Sequence, residues 1–239
     1  MVRDTNTHYG MGQTLDFNPI FSPALSWVKY KVMGANTVFL LKMGIMSLPI
    51  GKNSRVSATL NLVQTKKIHD LGNPTSIRGL QAFENEQDAA SFLDVMTKSS
   101  TCSWNYMISD PKISLAAETL VGKTHKHKIE SSSFGIKTNT YSAEDFKVYL
   151  MKPHYSLERQ QKALELTREK NNEHDKICSS DILDILSFND NTEKSITRYP
   201  NPEDVESAAT LGFYSTEGPR KGFFGMGNPK DSPWGRIPL

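Results

Sequence analysis

The chain has 239 residues, 37% of them hydrophobic and 23% charged, which is long enough to bury a substantial core and too apolar for a disordered polymer. Its 28 basic and 26 acidic residues leave a net charge of +2, without the basic excess that nucleic-acid binders carry. No apolar run approaches the length of a membrane span, and the polar opening residues have no signal-peptide core, so neither nucleic acid nor membrane is an expected partner. Two cysteines, Cys102 and Cys178, are too few for a disulfide framework and fit a reducing, cytoplasmic setting. A homo-oligomer is compatible with this composition, which does not decide it.

In chain order, Gly12-Gln13-Thr14-Leu15-Asp16-Phe17 reads as a glycine turn with a polar side chain fixed at Asp16. Two strands follow, from Trp27 to Met33 and from Asn36 to Lys42, joined at Gly34-Ala35. Gly51-Lys52-Asn53-Ser54 reads as a turn into a strand from Arg55 to Val63, where Val56, Ala58, Leu60 and Leu62 alternate with polar neighbours. Thr75 to Glu84 carries Ile77, Leu80 and Phe83 at helical spacing. Asp88 then caps a second helix that buries Ala89, Phe92, Leu93 and Met96. Trp104 to Ser109 and Ile113 to Thr119 form a hairpin around Asp110-Pro111-Lys112, and Lys123 to Ile129 and Phe134 to Thr138 read as further strands.

Ser156 opens a helix to about Lys170, and Ser179 or Ser180 caps a shorter one holding Ile182, Leu183, Ile185 and Leu186. Asn189 to Asp204 is a polar loop with two prolines, and Ala208 to Ser215 and Gly222 to Met226 close the chain as strands. Helices set between antiparallel pairs predict α+β layers. No internal repeat is present.

Reading the residues alone yields no self-evident site. His125 and His127 share one strand face, but zinc needs three or four ligands, so a solvated basic edge is expected and no metal. Cys102 has no cation beside it to lower its pKa and reads as inert. Cys178 stands just before a helix and reads as filler. Gly222-Phe223-Phe224-Gly225-Met226-Gly227 lacks the Lys-Ser/Thr and the following helix of a phosphate loop. No cofactor is expected.

Taken in order, the blocks resemble the large chain of the isopenicillin-N acyltransferase family of N-terminal-nucleophile hydrolases, over nearly the whole length. Gly12 to Phe17 resembles that family's Gly-(Gln/Arg)-Asn-x-Asp-Phe turn, and Ser54 to Asn61 its strand ending in Asn. Gly72-Asn73-Pro74, the two helices and Asp88-Ala89-Ala90 resemble the next block. Ser103-Trp104-Asn105-Tyr106-Met107-Ile108-Ser109-Asp110-Pro111, with Glu118 beyond, is a close likeness. Thr138-Asn139-Thr140 is similar to a Thr-Asn-His segment, Ser156-Leu157-Glu158-Arg159 to a Ser-x-x-Arg helix start, and Ser195-Ile196-Thr197-Arg198 to a Ser-Ile-Cys-Arg segment. Ala209-Thr210-Leu211 and Gly227-Asn228-Pro229 resemble the closing strands. The acid-ceramidase and N-acylethanolamine amidase branch shares the first turn and matches the middle less well.

The resemblance implies one domain over residues 1–239, a four-layer αββα sandwich of antiparallel sheets. It implies a chain cut to expose a cysteine whose thiol attacks an amide or thioester carbonyl. Catalytic roles fall on Asp16, Asn139 and Arg198: Asn139 donates to the oxyanion, Asp16 orients the nucleophile, and Arg198 holds a carboxylate. Substrate-binding roles fall on Asn61 and Arg159, and the substrate is a small N-acylated amine or amide. Without the resemblance, Asp16 reads as a turn cap, Asn139 as a strand-end cap, Arg159 as an exposed helix residue and Arg198 as part of a solvated loop.

Three positions depart from the pattern: Thr14 stands for Asn, Thr140 for His and Thr197 for Cys. The family's cysteine lies upstream of the glycine turn, and Met1 to Gly12 contains no Cys. The expectation is therefore a hydrolase scaffold that lacks its first strand and is inactive as written, with a true start further upstream as one explanation. The alternative is a non-catalytic family member acting as a binding or interaction protein.

Overall fold

The computed structural model describes residues 3–4, 8–32, 36–66, 73–98, 102–130, 133–151, 154–174, 177–192, 194–201, 208–217 and 221–237. The predicted Gly34-Ala35 turn, Gly72 and residues 202–204 of the predicted polar loop lie outside them. Two antiparallel sheets stack face to face. One has the order β1 (Arg3–Asp4), β2 (His8–Phe17), β10 (Ala209–Glu217), β11 (Lys221–Met226) and β12 (Trp234–Arg236). The other runs in sequence order through β3 (Leu25–Lys31), β4 (Thr37–Met43), β5 (Met46–Lys52), β6 (Ser57–Leu62), β7 (Trp104–Ser109), β8 (Ser114–Leu120) and β9 (Lys123–Ile129).

Helices cover both outer faces. α1 (Thr75–Asn85) packs on β5, and α2 (Ala89–Thr97) on β7 and β8. After the short α3 (Glu144–Lys147), α4 (His154–Glu173) packs on α5 (Ser179–Leu186), and α5 packs on β2 and β10. This is the expected α+β class and the expected αββα layering. Among the described residues no helix is long and apolar enough to cross a membrane.

Inward-facing side chains of both sheets build the central core, as alternation dictates. Trp27 stacks on Phe39 at 5.1 Å within the seven-stranded sheet. It also meets Tyr214 and Phe224 of the facing sheet at 5.8 and 5.9 Å. Trp27 Nε1 donates to Gly225 O at 3.1 Å, which satisfies the half-buried indole. A second interior layer lies under the helices, where Phe83 of α1 meets Phe92 of α2 edge-on at 4.8 Å. Asp88 caps α2 as predicted, accepting from Ser91 N at 2.9 Å.

Four local expectations need correction. Gly12 to Phe17 is the second half of a ten-residue strand, not a turn. Gly51 and Lys52 end a strand that runs from Met46. That strand holds Pro49 and Gly51, and the β4–β5 ladder is irregular between Leu40 and Lys42, which accommodates both. Residues 134–138 form no strand, and their path is set by side-chain clamps described below. The shorter helix is capped by Cys178, not by a serine, in a reciprocal box with Asp181. Finally β12, too short to announce itself, extends the first sheet beyond β11.

Candidate active site

β2 presents two different faces. Tyr9, Met11, Gln13 and Leu15 are buried, and this face points toward the seven-stranded sheet. Tyr9 Oη lies 3.0 Å from Ser57 Oγ, and Gln13 bonds the backbone of β6. Gly10, Gly12, Thr14 and Asp16 occupy the opposite face, toward α4 and α5. Glycine is required where α5 approaches: a Cβ on Gly12 would overlap Ile182 and stand 3.0 Å from Leu186 Cδ1.

Asp16 is the hub of this outer face. It lies opposite Thr210 of β10, just where that ladder shifts register between Thr210 and Gly212. Such an irregularity re-aims neighbouring side chains. Thr210 Oγ1 donates to Asp16 Oδ1 at 2.7 Å and accepts from Arg198 N at 2.8 Å. Arg159, from the second turn of α4, donates through Nη1 to Asp16 Oδ2 at 3.1 Å. Arg198 Nε stands 3.8 Å from the same oxygen, an ion pair without a hydrogen bond.

Arg159 is buried, contrary to the exposed-helix alternative. Its Nη2 donates to Asn139 Oδ1 and to Ser156 Oγ, each at 3.2 Å. Its Nε is buried with no partner among the described residues. Burial lowers the affinity of this guanidinium for its proton, the Asp16 carboxylate opposes that, and repulsion from Arg198 adds to it.

Asn139 completes the cluster. Its Nδ2 donates to Leu62 O at 2.7 Å, which leaves the second N–H of the carboxamide for another acceptor. The loop that carries it is held by a transverse row of polar side chains. Asn61, Asn105 and Glu118 are direct partners across β6, β7 and β8. Asn61 Nδ2 donates to Lys137 O at 3.1 Å. Asn105 Nδ2 donates to Thr138 O and Thr140 O, at 2.7 and 2.6 Å, on either side of Asn139.

Glu118 ends the row. It accepts from Lys137 Nζ at 2.5 Å, Ser142 N at 2.8 Å and Ala143 N at 2.9 Å. Gln13 ties the row to β2, donating to Asn61 Oδ1 at 3.2 Å and to Leu60 O while accepting from Leu60 N at 3.0 Å.

One cavity of about 550 Å³ brings all five sequence-predicted residues together: Asp16, Asn61, Asn139, Arg159 and Arg198 line it. The rest of its wall is largely aliphatic, including Ile177, Ile182, Ile185, Leu186 and Ile196. Neither Cys102 nor Cys178 lines it. Cys178 Sγ instead bonds Asp181 Oδ2 at 3.1 Å in its helix cap. His125 pairs with Asp145 at 2.9 Å on the exposed β9, and no group of three or more metal-ligating side chains occurs among the described residues.

Thr210, Gln13 and Asn105 were not anticipated as site residues. Only the register of facing strands reveals them, and single-chain periodicity does not carry it.

No family model matches the chain, and no curated protein is similar to it in sequence. Solved structures are. The Caenorhabditis elegans N-acylethanolamine-hydrolyzing acid amidase ortholog superposes with a TM-score of 0.60 at 9% identity, over 99% of this chain and 98% of that one. A single-residue variant of conjugated bile acid hydrolase from Clostridium perfringens also gives 0.60, at 11% identity, over 100% and 95%. Penicillin V acylase from Agrobacterium tumefaciens gives 0.52, at 11% identity, over 94% and 81%. The chain has the N-terminal-nucleophile hydrolase fold. At 9–11% identity these superpositions establish the fold.

Proposed function

We propose that the cavity binds the amide of a small N-acylated compound, on the scaffold of a cysteine N-terminal-nucleophile amide hydrolase or acyltransferase akin to the isopenicillin-N acyltransferase family. One observation carries this reading. Asp16, Asn139, Arg159 and Arg198 come from four distant segments, yet they form one bonded cluster at the wall of an otherwise aliphatic cavity. The second N–H of Asn139 donates to the ligand's carbonyl oxygen, as an oxyanion donor must. Asp16 and Arg159 hold that donor and each other in place, and Asn61 acts as a positioning residue through Lys137 O.

These residues bind and orient a carbonyl, but they include no nucleophile. Cys102 and Cys178 both lie away from the cluster; the second reading is a family member that binds such a compound without cleaving it. The two readings share one test. Ligand-observed NMR with N-octanoyl amines is expected to show binding that Asn139→Leu weakens, and chromatography is expected to find no octanoic acid released. Failure of every such ligand to bind sinks the amide-site reading. Octanoate release that stops on alkylation of Cys102 or Cys178 overturns their exclusion from the site.

A further inference from the structure

We propose that the open edge of β2 is a strand-addition site, and that the cavity beside it receives an extended apolar segment of a separate polypeptide. This role stands apart from the amide-site reading, because it uses the main chain of β2 and not the carboxamide of Asn139.

Every residue from Gly10 to Asn18 lines the cavity. Successive side chains of a strand point to opposite faces, so a cavity that touches all of them runs along the strand's edge. The sheet order shows which edge it is. On one side β2 pairs with β10 from Gly10 to Phe17. On the other, among the described residues, β1 pairs only with His8 and Tyr9. Beyond that point no described residue takes up the main-chain N–H and C=O groups that alternate residues turn away from β10. Gly10, Met11, Gln13 and Leu15 are buried. Enclosed main-chain groups without partners are costly, and a strand edge in that state is a template for another strand.

The seven-stranded sheet meets the same need differently. β5 pairs with β6 only at Ser57 and Ala58. Past that point side chains act in place of a strand. Gln13 accepts from Leu60 N at 3.0 Å and donates to Leu60 O, and Asn139 donates to Leu62 O at 2.7 Å. Among the described residues no such stitch reaches the open edge of β2, although it borders the same cavity.

The walls set the chemistry of the occupant. Gly10 to Asp16 extends over roughly 20 Å at about 3.3 Å per residue, room for about six residues. A strand laid there directs alternate side chains to opposite faces. One set meets Ile182, Ile185 and Leu186, and the other meets Leu48, Ile50 and Met107. Both walls are apolar, so the fitting segment is β-branched or aliphatic on both faces and contains no proline.

The test uses a capped Val-Thr-Val-Ile-Val peptide with a lysine tail for solubility. Hydrogen exchange of the full chain is expected to show the cavity-facing amides between Gly10 and Asp16 exchanging in the free protein and protected when the peptide is bound. Two isomers N-methylated at alternate residues separate main-chain pairing from simple apolar burial. In calorimetric titration the isomer whose methyls face β2 is expected to bind about tenfold or more weaker, and the other to bind like the parent peptide. Equal affinities of the two isomers overturn the inference, as does failure of the parent peptide to bind. Protection on the edge strands β3, β9 or β12 in place of β2 overturns it too. Protection of β2 in the free protein that grows with protein concentration assigns the edge to a second copy, and likewise overturns it. N-octanoyl amines are titrated separately, so failure of this role leaves the amide-site reading standing.

Discussion

Glu118→Ala removes the end of the polar row and should be among the most damaging substitutions in the chain. Its carboxylate neutralises Lys137 and accepts from two backbone N–H groups, those of Ser142 and Ala143. The side chains of Glu118 and Lys137 are 2% and 5% exposed, so water cannot take over. Removing one partner of a buried pair costs about 3–5 kcal/mol, and orphaned buried N–H groups cost about 1–3 kcal/mol each. These terms overlap, so a total near 4–6 kcal/mol is expected, against a typical stability of about 5–15 kcal/mol.

Urea unfolding followed by circular dichroism reads this directly. The double variant Glu118→Ala/Lys137→Met should recover the charge component and retain only the cost of the two N–H groups, so it should be more stable than Glu118→Ala alone. The pair also predicts a pH limb. Burial pushes the Glu118 carboxyl up, but the bond from Lys137 and the N–H groups of Ala143 and Ser142 outweigh it and hold it below the ordinary 4.5. A carboxylate depressed on folding stabilises the protein above its unfolded-state value and loses that contribution as pH falls through the folded-state value. The parent should therefore lose stability below about pH 4.5, and Glu118→Gln should lose less. A Glu118→Ala stability within about 1 kcal/mol of the parent, or a double variant as unstable as the summed singles, refutes the clamp.

Three further predictions follow the same logic. Burial depresses the Lys52 ammonium from 10.5 to about 7. The unfolded chain then binds a proton that the folded chain refuses, so stability should rise by about 3 kcal/mol between pH 7 and about 9.5. Denaturation curves across that window should flatten in Lys52→Met, and an unchanged slope contradicts the assignment. Asp16→Ala leaves the buried Arg159 and its neighbour Arg198 without their shared carboxylate. It should cost about 2–4 kcal/mol, partly restored by added sulfate, and thermal melts that show no loss argue against the hub. Gly51 has φ 148°, and a Cβ there would overlap Phe39 O and stand 2.7 Å from Leu40 Cα. Gly51→Ala should cost about 3 kcal/mol or more, whereas Gly44→Ala, at φ 58° with open space around it, should cost about 1–2 kcal/mol. Similar melting temperatures for the two variants would defeat the steric account.

What could be read from the chain, and what could not, divides along a physical line. Alternation and 3.6-residue spacing report which face of an element is buried, and they located α1, α2, β6, β7 and β9 within a residue or two. They do not report which residue lies across from which. Asn61, Asn105 and Glu118 are each an ordinary polar residue within a strand. They become one clamp only because β6, β7 and β8 pair in a register that places them side by side. A slip of one residue would turn every one of them to the opposite face. The same holds for Thr210, whose meeting with Asp16 depends on the local shift in the β2–β10 ladder. Resemblance supplied the names Asp16, Asn139, Arg159 and Arg198, and register supplies the reason they meet. Arg159 bridges Asp16 on one sheet to Asn139 on a loop that is clamped to the other. The cavity's polar wall is therefore as rigid as the packing of one sheet on the other. For that reason a substitution at Asn105, which does not line the cavity itself, should reach the ligand through Asn139.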